Sequence, residues 1–213
     1  MTYIVGRGVR VEIGSVEGAP KTVTAVTAAN PGVATSSSHG LAAKSAGYFS
    51  TATGMPQLEG QAIRLNPVDT NTFTFENLST VGYGTFTAGS FIPITTWLTL
   101  SNALDYNIGG GEADKLDVSV LLDDIKQEQA GLLQAQTVTF SARSETIYGQ
   151  AMLKLEEVAR AAGYIVMRIT LKDGNVRVFR GQPSLPGEQV GQGQVGQGTF
   201  SMTLKGFVIQ GVA

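Results

Sequence analysis

Between Ser144 and Val212 the apolar residues switch from helical to strand spacing and then keep the strand period. This leaves little freedom in what that third of the chain can fold into. From Tyr148 to Ala162, the residues Met152, Leu155, Val158, Ala159 and Ala162 recur at three- and four-residue steps and share one helical face. Lys154, Glu156, Glu157 and Arg160 fall on the other face. Gly163 is placed for a left-handed C-cap, and Ser144 or Thr146 for the N-cap. Ile165, Met167, Ile169 and Leu171 then alternate with Val166, Arg168, Thr170 and Lys172, as in a strand with one buried face. Asp173-Gly174 is the candidate hairpin turn, because glycine accepts positive φ without a Cβ clash, and the returning strand is Val176 to Arg180. Phe200, Met202 and Leu204 alternate with Ser201, Thr203 and Lys205; the pattern changes phase at Gly206, which predicts a bulge or kink before Phe207 and Ile209. The prediction for this third is one helix packed on a β-sheet.

The rest of the chain adds strands. Val9, Val11 and Ile13 alternate with Arg10 and Glu12. From about Ala19 to Phe91 the chain is rich in Thr, Ser, Ala and Gly, with six charged residues that sum to zero. Short β-type runs are expected at Thr22–Thr27, Val33–Ser36, Gly47–Ser50, Gln61–Leu65 and Thr72–Glu76, separated by the turn clusters Asn30-Pro31-Gly32, His39-Gly40, Thr53-Gly54-Met55-Pro56 and Asn66-Pro67. After Pro93 the composition becomes acidic, and Gly109-Gly110-Gly111 marks a loop. The expected fold class is mainly β with one flanking α-helix: two packed antiparallel sheets, sandwich or barrel, plus an inserted small β-barrel-like domain. The expected boundaries are 1–18 and 95–213 for a discontinuous outer domain and 19–94 for the insert.

Composition removes several function classes. The 213 residues are 42% hydrophobic, 15% charged and free of cysteine, with a formal charge of −2. That suffices for a substantial core and excludes disulfides and thiolate metal sites. It also argues against a protein that neutralises many phosphates. No run approaches a membrane span and no hydrophobic signal region opens the chain, so a soluble protein kept inside the cell is expected unless other machinery exports it. Charge is uneven. Residues 105–128 hold seven acids and two bases, a net of −5, whereas 143–205 hold eight bases and five acids, a net of +3. Opposite patches favour head-to-tail association between copies. The candidate inter-subunit or inter-ring contacts are Asp114, Asp117, Asp123, Asp124, Lys126 and Glu128; a merely solvated acidic loop is the alternative.

No catalytic, cofactor-binding or metal site is expected. Gly191 to Gly196 spells G-x-G-x-x-G, but a dinucleotide fingerprint needs a strand before it and a helix after it. Here Pro183 to Gly187 precede and a strand follows. The acidic run after Gly109 has Leu116, not Glu, at the twelfth position from Asp105, against a calcium loop. His39 is the only histidine and reads as a turn residue bonded to its own loop. Asp123-Asp124 reads as a solvated pair or a cap, and Trp97 with Leu98 and Leu100 as core.

Taken in order, these features resemble the major tail tube proteins of lambda-like long-tailed bacteriophages. The helix from Tyr148, the strand Ile165–Leu171, the Asp173-Gly174-Asn175 hairpin, Val176–Gly181, a Gly- and Gln-rich loop and the closing strand Thr199–Gln210 carry the resemblance. Trp97–Tyr106, Glu112–Asp124 and Thr137–Arg143 are similar to that family's second strand, long loop and third strand. The insert, with Asn30–Leu41, Gly54–Gly60 and Asn71–Phe75, resembles a small β-module of phage structural proteins. It is also similar in shape to the half-domain flanking the catalytic cysteine of ubiquitin-activating enzymes, without the cysteine. The resemblance implies a structural virion protein, not an enzyme. It implies hexameric rings of this chain stacked around a tape-measure protein, bounded by tail terminator and tail-tip proteins. The lumen would pass genomic DNA without reading its sequence, in a tail assembled in the host cytoplasm. A rival reading makes the insert a carbohydrate- or surface-binding module, with Tyr48, Phe49, Phe73, Phe75 and Tyr83 as its stacking platform.

Overall fold

Period-two runs of β-branched and aromatic residues, cut by glycine turns, leave strand pairing as the main way to satisfy the backbone. The computed structural model describes residues 8–120, 124–144 and 149–212. Within them the protein is mainly β with one helix, the class read from the sequence. The strands are β1 (Arg10–Glu17), β2 (Lys21–Val23), β3 (Ala25–Val26), β4 (Val33–Thr35), β5 (Ala46–Thr53), β6 (Ala62–Val68), β7 (Thr72–Phe75), β8 (Ala88–Thr99), β9 (Ala103–Gly109), β10 (Ala113–Asp117), β11 (Glu128–Leu133) and β12 (Thr137–Arg143). After helix α1 (Gln150–Arg160) come β13 (Ile165–Thr170), β14 (Asn175–Pro183), β15 (Gln197–Leu204) and β16 (Ile209–Val212).

One antiparallel path runs β3-β4-β7-β6-β5-β8-β1-β13-β14-β15-β12-β9, with β2 on β8 and β16 on β14; β10 and β11 form a separate two-stranded ribbon. The long strand β8 is the spine. Its first half pairs with β5 and β2, and its second half with β1, through Gly47↔Pro93 on one side and Glu17↔Ile94 on the other. The sheet curls about two principal cores. In one, Ala151, Met152 and Leu155 of α1 pack with Phe140, Met167, Phe179 and Phe200, and the Phe140 and Phe200 rings stack at 4.9 Å. In the other, Phe49, Phe73, Phe75 and Phe91 meet edge-on or tilted around Leu58 and Ile63. A seam of Ala46, Tyr48, Ala62, Ile94, Val166, Val176 and Val178 joins them.

Several local expectations change. The helix begins at Gln150 with Gly149 as N-cap and no side-chain cap bond; Thr146 and Tyr148 lie outside the described residues. At its other end the left-handed residue is Ala162, φ 50°, and not Gly163. The Gly163 and Ala162 amides donate to the carbonyls of Val158 (2.9 Å) and Ala159 (3.1 Å), the paired bonds of a Schellman ending. The glycine is one position too late for the turn it would best serve. Asn66-Pro67 lies inside β6, where the missing proline N–H coincides with a register break between Leu65 and Val68. Leu100 is buried, but Trp97 and Leu98 are only half-buried: the indole lies under the Arg168 guanidinium, 4.4 Å from its centroid. Past Gly206 (φ 88°) the chain leaves β15 and starts a new strand on β14, a full break where a kink was expected.

Candidate assembly surface

The acidic segment is a ribbon. β10 and β11 pair antiparallel with Leu116 opposite Gln129 and Asp117 opposite Glu128, and nearly every residue of it is exposed. Cross-strand alternation gives the ribbon two unlike faces. On one, Lys115 bridges Glu128 (3.4 Å), while Lys126 reaches Glu128 (3.0 Å) and Asp117 (3.9 Å). The Ser119 hydroxyl and then its amide donate to Asp117, holding that carboxyl below the usual range. On the other face, Leu116 and Val118 are about half exposed beside Gln129 and the Asp114 side chain. Val120, Ile125, Leu132 and Leu133 are exposed as well.

Of the charged residues singled out from the sequence, Asp117, Lys126 and Glu128 therefore form one cluster. Asp114 accepts from the Gln134 side chain (2.8 Å) nearer the ribbon's base, Asp124 is exposed near its tip, and Asp123 lies outside the described residues. Sequence reasoning weighed the charge and passed over the apolar face. The signal was available: Leu116, Val118 and Val120 alternate with Asp117 and Ser119, the period of a half-covered strand.

The ribbon springs from the end of a second notable surface. β9, β12 and β15 turn Phe140, Val138, Phe200 and Met202 into the core and present the opposite residues to solvent. In register these are Asn107, Thr139 and Ser201; Asp105, Ser141 and Thr199; and Gly109, Thr137 and Thr203. This face is made of hydroxyls and one amide, with charge only at Asp105 and Arg143 toward one end. β9 is the end of the strand path, so its outer edge has no strand partner among the described residues.

Asp173 and Gly174 form the tip between β13 and β14. Gly174 has φ 85°, and the Asp173 carboxylate accepts first from the Asn175 amide (3.0 Å) and also from its side chain, which lowers its pKa. His39 accepts from the Leu41 amide through Nδ1 at 3.0 Å, and its ring meets Phe73 edge-on, a buried turn residue. The G-x-G-x-x-G run sits in the hairpin between β14 and β15 and leads into a strand, without the helix that a pyrophosphate site needs. The aromatic platform of the rival reading is core: Tyr48, Phe49, Phe73 and Phe75 are buried, and Tyr83 packs on the same cluster.

Side chains between residues 61 and 77 grip the segment 207–212. Gln61 exchanges two hydrogen bonds with the Phe207 backbone (2.8 and 2.7 Å). Asn77 donates to the Gln210 carbonyl at 2.7 Å. The buried, ion-paired Arg64 and Glu76 bond to the carbonyl (2.9 Å) and amide (3.1 Å) of Val212. Gly211 lets that ion pair sit close, since a Cβ there would lie 2.5 Å from both the Arg64 and Glu76 side-chain ends and push them aside.

The described residues thus form a curled β-structure that ends in an unpaired sheet edge and carries an exposed amphipathic ribbon. The profile of the phage tail tube protein (TTP) family matches residues 53–204, and the chain belongs to that family. It is a structural component of the virion tail and not an enzyme. No curated protein matches it, and no helix among the described residues is long and apolar enough to cross a membrane.

Proposed function

We propose that this chain polymerises as stacked hexameric rings around a tape-measure protein, between tail terminator and tail-tip proteins, and that the tube is the conduit for DNA ejection. Assembly takes place in the host cytoplasm. The observation that carries the reading is the ribbon, an amphipathic β-structure whose apolar residues Leu116 and Val118 are about half exposed among the described residues. Monomers seldom display so much apolar surface without a use for it, and a neighbouring copy is the occupant that the family supplies. Of the charged residues proposed as contacts, Asp114 lies on the apolar face beside Leu116, whereas Asp117, Lys126 and Glu128 cluster on the opposite face, open to a second neighbour. Closing the β9 edge against a neighbour would remove the hazard that a free edge poses. The hydroxyl face of β9, β12 and β15 suits a lumen wall, because it offers passing phosphates no row of cations to hold them.

The test leaves the ribbon's charges in place. Leu116→Ser with Val118→Ser should give a folded protein of unchanged thermal midpoint that no longer forms tubes in negative-stain electron microscopy. Tubes of normal length from that variant would remove the ribbon from assembly.

A further inference from the structure

The hairpin between β14 and β15 contains a tandem repeat: Gln-Val-Gly-Gln-Gly occurs at 189–193 and again, unchanged, at 194–198. The Gln189 and Gln197 amides and carbonyls bond reciprocally at 2.7 and 2.9 Å and close its legs. The chain reverses where the Gln194 amide meets the Gly191 carbonyl (3.1 Å), with Gly193 at φ 74°. The repeat places one valine on each side of the turn, and both stand in solvent: Val190 is 67% exposed and Val195 65%. No charged residue lies between Gln189 and Gln197.

Its position gives the hairpin a meaning. In the β12–β15 ladder Arg143 faces Gln197, so the hairpin caps that end of the sheet. Thr137 faces both Thr203 and Gly109 at the other end, where the ribbon leaves. The seven residues of β12 separate the two by roughly 20 Å along the strand direction. Each copy thus carries an apolar-faced ribbon at one end and a valine-tipped, uncharged hairpin at the other.

We propose that the two are head and tail of one contact: in a stack, the Leu116 and Val118 face of one copy's ribbon seats on Val190 and Val195 of the next copy. The inference rests on the stacked-ring reading and adds the ribbon's receptor. Three features fit them to each other. Both surfaces are apolar and bare. Lys115, Asp117, Lys126 and Glu128 pair among themselves on the ribbon's far face, and Asp114, beside Leu116, already accepts from the Gln134 side chain, so docking strips water from one hydrogen-bonded carboxylate at most. Glycines between the valines let a second backbone approach closely. Unlike ends that join without closing propagate as an open stack, the growth mode of a tube.

The absence of cysteine makes the test clean. Val118→Cys with Val195→Cys, assembled and then oxidised with copper phenanthroline, should give a non-reducing gel ladder that runs past six chains. Each single variant should stay monomeric. A ladder that stops at six would place the contact between ring neighbours, and dimers from either single variant would mean like-on-like pairing; both overturn the proposal. Normal tubes without a ladder also overturn it while leaving the tube reading intact. Failure of the unmodified chain to form rings or tubes, even with tail-tip proteins added, would sink both. Should the double cysteine variant not assemble, Val190→Ser with Val195→Ser decides: rings that do not stack support the contact, and full-length tubes refute it.

Discussion

Tyr48 lies in the seam between the two cores. Its hydroxyl donates to Glu17 at 2.7 Å, and its ring lies under the Arg180 guanidinium at 4.0 Å. Burial first, and then the Glu17 carboxylate, push its pKa from 10.0 to about 12. A tyrosine that holds its proton more tightly when folded contributes stability that is complete below the unfolded value. That stability is lost as pH rises from about 10 to about 12. Tyr48→Phe keeps the ring on Arg180 and removes the titration, so its denaturant midpoint should fall less steeply over that window than that of the unmodified chain. Lysines and the other tyrosines titrate in both proteins, and the difference isolates Tyr48; parallel pH profiles would show that its proton is not held.

The helix ending and the β13–β14 turn form a natural pair of experiments, because each puts a residue at positive φ and only one of them is glycine. Ala162 at φ 50° carries a left-handed strain of about 1–2 kcal/mol for a residue with a Cβ. Ala162→Gly should therefore raise stability by about 0.5–1 kcal/mol net of the extra chain entropy. Gly174→Val should cost on the order of 1–2 kcal/mol. Open space surrounds the Gly174 Cβ position, so that loss is backbone strain and not a clash. Midpoints that move in the same direction would contradict this account of both turns. The same two places bear on what the sequence reveals. Periodicity located β13, β14, β15 and the helix, because each has one buried face and one wet face. It mistook Gly163 for the left-handed residue, since composition cannot tell C′ from C″. It left the acidic segment after Gly111 as loop, because the run of acids there hid the alternation of Leu116, Val118 and Val120. The Gln61, Arg64, Glu76 and Asn77 grip was out of reach, since its partners lie more than 130 positions away in sequence.

That grip predicts how the whole molecule should come apart. Residues between 23 and 91 share an aromatic core, yet Ile209 of the closing strand is buried in it, and β8 pairs with strands on both sides. Buried ion pairs contribute little net stability when intact, but losing one partner strands the other without water and costs about 3–5 kcal/mol. Glu76→Ala would leave Arg64 and the Val212 amide unmatched together. We expect the unmodified chain to unfold in one calorimetric transition, with calorimetric and van't Hoff enthalpies in agreement. Glu76→Ala should lower that single transition, and hydrogen exchange should quicken first at 209–212, in the strand that Glu76 holds across the seam. Two resolved transitions, or faster exchange confined to residues 19–94, would instead describe an insert that melts alone.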